Sequence, residues 1–119
     1  MKIKWLRNPQ REDYSAAALY LSLTMSPAAA KSAAKRMRNA RISTAAAKDI
    51  FRASELSLLG ISDSHVEKDM DRISKKEKLP PLLLYRDGTN NKLIIADGYH
   101  RLCAVYKIDE DAMIPCKIV

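Results

Sequence analysis

Three observations predict an α+β fold, a small mixed sheet with an N-terminal helical section. No glycine precedes Gly60, and apolar residues before it recur at helical spacing. Two short apolar runs, Leu82 to Arg86 and Lys92 to Ala96, flank the turn-rich segment Asp87-Gly88-Thr89-Asn90-Asn91. From residue 64 onward the order is helix, strand, turn, strand, glycine, helix, strand, which is an α+β arrangement. The 119 residues suit a single domain, 1–119, with a basic helical section over 1–55 and the sheet-bearing section over 56–119. A chain of that length buries roughly two-thirds of its unfolded surface without a metal or disulfides.

Each element has a local reason. Asp13 is placed to cap a helix running through Tyr14–Met25, with Ala17, Tyr20, Leu21 and Thr24 on one face. Ser26-Pro27 starts the next helix: serine is a good N-cap, and proline fits the first turn because its missing N–H had no partner there. That helix runs to about Ala40, with Ala30, Ala33, Ala34 and Met37 on its buried face and Lys31, Lys35 and Arg38 opposite. A third helix is expected after Ser43 or Thr44, burying Ala47, Ile50 and Phe51. Ser64-His65-Val66-Glu67 has the capping-box pattern and leads into a stripe of Val66, Met70 and Ile73. Pro80-Pro81 ends this helix. Beyond the two strands, Asp97-Gly98 opens a helix over Tyr99 to Lys107, and Met113 to Val119 reads as a last strand.

Charge is unevenly spread. The chain carries 21 Lys+Arg and 14 Asp+Glu, a net +7. Residues 1–60 hold 11 basic and 4 acidic side chains, while residues 61–119 hold 10 of each. Electrostatic attraction to a polyanion therefore belongs to the first half. The longest dense apolar stretch, Ala16 to Leu21, is far short of a membrane span, and the first ten residues lack a signal-peptide core. With only Cys103 and Cys116, both expected as free thiols, the sequence points to the cytoplasm.

The segment Ile94-Ile95-Ala96-Asp97-Gly98-Tyr99-His100-Arg101 carries the most chemistry. A strand ends at a glycine, where backbone can approach a ligand, and a helix starts at once. The N–H groups of a first helical turn and its partial positive charge suit an anion. His100 and Arg101 add donors, and an arginine fork matches phosphate. Asp97 can hold a metal, orient His100 or accept a proton. These residues alone indicate a phosphate or carboxylate site, set against a plain helix entry with Arg101 paired to an acid and His100 structural.

This segment, continued by Leu102-Cys103-Ala104 and preceded by Pro81-Leu82-Leu83-Leu84-Tyr85, resembles the signature of the ParB/sulfiredoxin superfamily over about residues 56–119. The resemblance implies nucleotide chemistry: the superfamily includes CTP-binding partition proteins, ATP-using sulfiredoxins and free-serine kinases. It implies a nucleoside tri- or diphosphate, ATP or CTP, with or without Mg²⁺, held by Gly98, His100 and Arg101. Asp97 matches the acid preceding the glycine in the kinase branch, so Asp97 and His100 are the catalytic candidates for phosphotransfer or hydrolysis. Departures narrow this. Sulfiredoxin has its cysteine where this chain has Tyr99, which argues against sulfinic acid reduction. No helix-turn-helix of the partition proteins is expected before Val119. The kinase branch needs an earlier carboxylate, for which Glu55 and Asp63 are candidates.

Other signatures are absent: there is no Walker loop, no Gly-x-Ser-x-Gly and no His-Glu-x-x-His. His65, His100, Cys103 and Cys116 lack the spacing of a zinc site, and no metal site is expected. Trp5 between Lys4 and Arg7 either stacks on a base or covers the core, the latter being favoured. Lys31, Lys35, Arg36, Arg38 and Arg41 form the nucleic-acid candidate, five cations in eleven residues. Three readings follow: a phosphorylated-ligand or nucleotide binder, a non-enzymatic DNA-binding regulator using residues 31–41, and a protein-interaction module. Oligomeric state is left open.

Overall fold

A computed structural model describes residues 2–59 and 63–119; Gly60, the first glycine of the sequence, lies outside them. Helices α1 (Arg11–Leu21) and α2 (Pro27–Asn39) are followed by strand β1 (Ser43–Ala46), then helices α3 (Ala47–Ser54) and α4 (Ser64–Ser74). Strands β2 (Leu82–Asp87) and β3 (Lys92–Asp97), helix α5 (Tyr99–Ile108) and strand β4 (Met113–Ile118) complete the chain. The strands form one mixed sheet ordered β1-β4-β2-β3, with β2 and β4 parallel and the outer pairs antiparallel. This is the α+β class that the sequence predicts.

The unbroken run Leu82-Leu83-Leu84 reflects a strand covered on both faces. Leu82, Leu84 and Ile95 enter one core with Ile50, Phe51, Val66, Ile73 and Leu102. Leu83 and Ala96 enter a second core with Tyr14, Ala17, Leu21, Ala33 and Met37. Alternation along β2 and β3 thus assigns α1 and α2 to one side of the sheet, and α3, α4 and α5 to the other. No described helix is long and apolar enough to cross a membrane.

Several boundaries differ from the sequence reading. Helix α1 starts three residues earlier than expected, at Arg11. Gln10 is its N-cap, and Asp13 is the third helical residue, its Oδ2 accepting from the Gln10 N–H at 2.7 Å. The helix ends at Leu21, where the Ser22 hydroxyl donates to the Leu19 carbonyl at 2.6 Å. Tyr20 and Thr24 consequently lie outside its buried face. In α4 the N-cap is Asp63, whose Oδ1 accepts from His65 N at 2.9 Å and Val66 N at 3.2 Å, so Ser64 is the first helical residue rather than the cap. The carboxyl of Asp63 is held below its ordinary pKa chiefly by the Val66 N–H bond.

The largest difference is β1. Ser43 to Ala46 pair with Cys116 to Met113, and only then does α3 begin, so the first section is not wholly helical. Four edge residues, two of them exposed, leave too short a pattern to read as a strand, and their partner lies about 70 residues away. Ala47, Ile50 and Phe51 are buried as expected. So are Ala30, Ala33, Ala34 and Met37 of α2, whose Ser26 cap accepts from Ala29 N at 3.1 Å. Ser26→Ala should cost about 1 kcal/mol in urea unfolding; an unchanged midpoint would remove the cap from the account. Trp5 packs against the first core, where flanking backbone bonds tie Lys4 and Leu6 to Leu79.

Candidate anion-binding cleft

The site begins with an irregularity in β3. Leu83 pairs with Asp97 but Leu84 with Ile95, so Ala96 is an extra residue and the strand bulges just before the turn. Gly98 follows with φ 106°, a conformation that side chains rarely adopt. A Cβ there would lie 2.8 Å from Leu82 Cγ and 2.9 Å from Arg101 Nη2. As N-cap of α5, Gly98 offers no side-chain acceptor, so the leading N–H groups of the helix lack the usual cap. The first intrahelical bond runs from Leu102 N to Gly98 O at 2.9 Å.

This helix start opens into a polar cleft of about 250 Å³ between α4 and α5. Its walls are His65, Lys68, Asp69 and Arg72 from α4, and Asp97, Gly98, His100 and Arg101 from the turn and α5. The His65 and His100 rings lie 4.7 Å apart between centroids. Arg101 donates through Nη2 to Asp97 Oδ2 at 3.1 Å and to the Pro81 carbonyl at 3.2 Å. Both members of the pair are largely buried, at 13% and 17% side-chain exposure. The Arg101 Nε is buried and has no hydrogen-bond partner among the described residues. Arg72 Nη1 lies 3.3 Å from Asp69 Oδ1.

Burial raises the pKa of both cleft carboxyls. At Asp69 it outweighs Arg101, Arg72 and the two histidines. At Asp97 burial comes first and the Arg101 charge opposes it, while Asp13 of α1 adds an upward push from the far side. Asp97 therefore joins Arg101 and faces Asp13, and among the described residues no hydrogen bond joins it to His100. The four residues of the turn are brought together, with His100 turned toward His65 and Arg101 turned inward. Neither Glu55 nor Asp63 lines the cleft; the carboxylate that reaches it from an earlier segment is Asp69.

Asp69, Lys68, Arg72 and His65 are the site residues that sequence reasoning did not assign. A signal existed for one. Asp69 is 7% exposed and lies between Val66 and Ile73 on the buried face of α4, and a carboxylate on an apolar stripe needs a partner. The others look like an ordinary solvated face until α5 is packed beside them.

Cys103 and Cys116 are free, fully buried thiols on the sheet side of α5 and on β4, and burial pushes both thiol pKa values up. Tyr99 donates its hydroxyl to the Ser57 carbonyl. Native protein should therefore react slowly with a thiol reagent, and fast labelling of Cys103 would contradict this placement. Among the described residues no three metal-ligating side chains converge.

Lys31, Lys35, Arg36, Arg38 and Arg41 are all exposed, and their surroundings differ. Arg36 lies 6.0 Å from the Tyr85 ring centroid and Arg38 5.4 Å from that of Tyr14, while Arg41 lies beyond the end of α2. Lys31, Lys35 and Arg38 border a groove between α1 and α2. No protein-family model matches the chain, and neither a curated protein nor a solved structure is significantly similar to it.

Proposed function

We propose that the chain is a ParB/sulfiredoxin-like domain that binds a nucleotide or another phosphorylated ligand at the Asp97–Arg101 turn. The observation that carries the reading is the uncapped start of α5 at Gly98, opening into a cleft whose other wall supplies Lys68, Arg72 and His65. Backbone N–H groups and the helix dipole favour an anion there, and the cations of α4 add charge. The unpartnered Arg101 Nε supports a missing acceptor. A cleft of about 250 Å³ is smaller than the ~300–1,000 Å³ of sites enclosing whole ligands. It suits a di- or triphosphate with the nucleoside outside, as in ATP or CTP.

Arg101 is a positioning residue as much as a ligand, because Asp97 and Pro81 hold one end of its fork. Asp97 is committed to that role. For phosphotransfer or hydrolysis the proton-moving group would be His100, with Asp69 beside it. The carboxylates do not fit a metal of their own, since each faces a guanidinium group. Mg²⁺ would enter only with the phosphates. Two buried free thiols support a cytoplasmic location.

Thermal melts with ATP, ADP, CTP and GTP, each with and without Mg²⁺, test this. A ligand at 100 times its Kd should stabilise by about 2.7 kcal/mol. The shift should vanish in Lys68→Ala/Arg72→Ala and persist in Lys31→Ala. No shift with any nucleotide, or one lost only on changing α2, would overturn the reading.

A further inference from the structure

On the other side of the sheet from the cleft, the outer groove between α1 and α2 has a volume of about 980 Å³. Its floor and one wall are apolar: Ala18 and Leu19 of α1, and Pro27, Ala30 and Ala34 of α2. Leu19 is 72% exposed, and Leu23, two residues past the end of α1 and outside the groove lining, is 79% exposed. Leu19 stands beside Ala18, Pro27, Ala30 and Ala34, so the exposed apolar surface is continuous and not one scattered side chain. Lys31, Lys35 and Arg38 edge the groove at i, i+4 and i+7, about 10 Å of helix. No carboxylate lines it among the described residues.

We infer that this groove docks an amphipathic helix of a partner protein, one that carries acidic residues along the edge of its apolar face. The exposed Leu19 beside small alanines makes a trough that a helix ridge can enter, and helix-in-groove recognition reads anchors at i, i+3, i+4 and i+7. The row of cations has the spacing of a single helix face, so acids at matching spacing on the incoming helix meet it side by side. Charge argues against a second copy of this chain. A second α2 brings the same three cations, and the only carboxylates of α1 are Glu12 and Asp13 in its first turn, Asp13 being buried. Nucleic acid would engage the cations but leave Leu19 bare, since phosphates gain nothing from an apolar floor. The docking surface does not depend on the nucleotide reading, because it shares no residue with the cleft.

A fluorescent synthetic peptide tests it, with leucines at i, i+3, i+4 and i+7 and flanking glutamates, compared with the same peptide carrying lysines in their place and with a DNA duplex. Binding is read by anisotropy on the full chain. The glutamate peptide should bind and the lysine peptide should not. Leu19→Ser should weaken the glutamate peptide about tenfold. Lys31→Glu/Lys35→Glu should weaken it by at least as much and improve the lysine peptide. All three positions are exposed, and unchanged melts of the variants would confirm that the fold is kept. Four results would each overturn the proposal: no binding of the glutamate peptide up to ~1 mM, binding indifferent to Leu19→Ser, DNA binding that needs the lysines but not Leu19, or self-association in sedimentation that Leu19→Ser abolishes.

Discussion

Gly98→Ala should destabilise the protein by about 2–4 kcal/mol and abolish anion binding at the cleft. Two costs add. Gly98 has φ 106°, where an L side chain is strained, and the new methyl would meet Leu82 Cγ at 2.8 Å. Leu82 is fully buried and central to the first core, so it has nowhere to move. Relief would come from shifting the first turn of α5, which is the part that presents N–H groups to the cleft. Urea unfolding would show the lowered midpoint, and a midpoint within error of the parent would mean that the tight turn is not needed.

Arg101→Ala should cost about 3 kcal/mol at neutral pH, because it leaves Asp97 buried as an unpaired charge. The loss should shrink on acidification, since a protonated Asp97 no longer needs the guanidinium. The folded state holds the Asp97 proton more tightly than the unfolded chain does, since its pKa lies above the ordinary 3.8. This group therefore favours folding below 3.8, and that contribution is lost as pH rises through the raised value. Asp69 acts with the same sign. Removing Arg101 pushes Asp97 further up and steepens the loss. Asp97→Asn/Arg101→Ala should recover much of the stability of the single variant and flatten its pH dependence. An Arg101→Ala penalty that is constant across pH would detach it from the Asp97 charge.

The elements with strong local signals were legible in the sequence. Ser26-Pro27, the alanines of α2, the Asp87–Asn91 turn and the Asp97-Gly98 break each have a local cause that tertiary packing did not override. The misreadings have two causes, a distant strand partner and a local cap of uncommon residue type. Ser43–Ala46 becomes a strand only because β4 lies beside it. The start of α1 is fixed by Gln10 and Asp13 capping each other, and Asp13 is also drawn inward beside Asp97. The same limit applies to the cleft. Its Gly98–Arg101 half is contiguous and visible as a motif, whereas the α4 half exists as a site only through the packing of α4 against α5. Asp69 alone carried a sequence signal, as a carboxylate on the apolar stripe of its helix.

The most direct test of the central claim is to follow backbone amides by ¹⁵N–¹H correlation spectra while titrating ATP, with CTP and inorganic pyrophosphate in parallel. Saturable shifts concentrated at Tyr99, His100 and Arg101, with smaller ones at Lys68 and Arg72, are expected. If those amides stay still throughout, or the shifts fall on α2 instead, the cleft at the start of α5 is not the phosphate site.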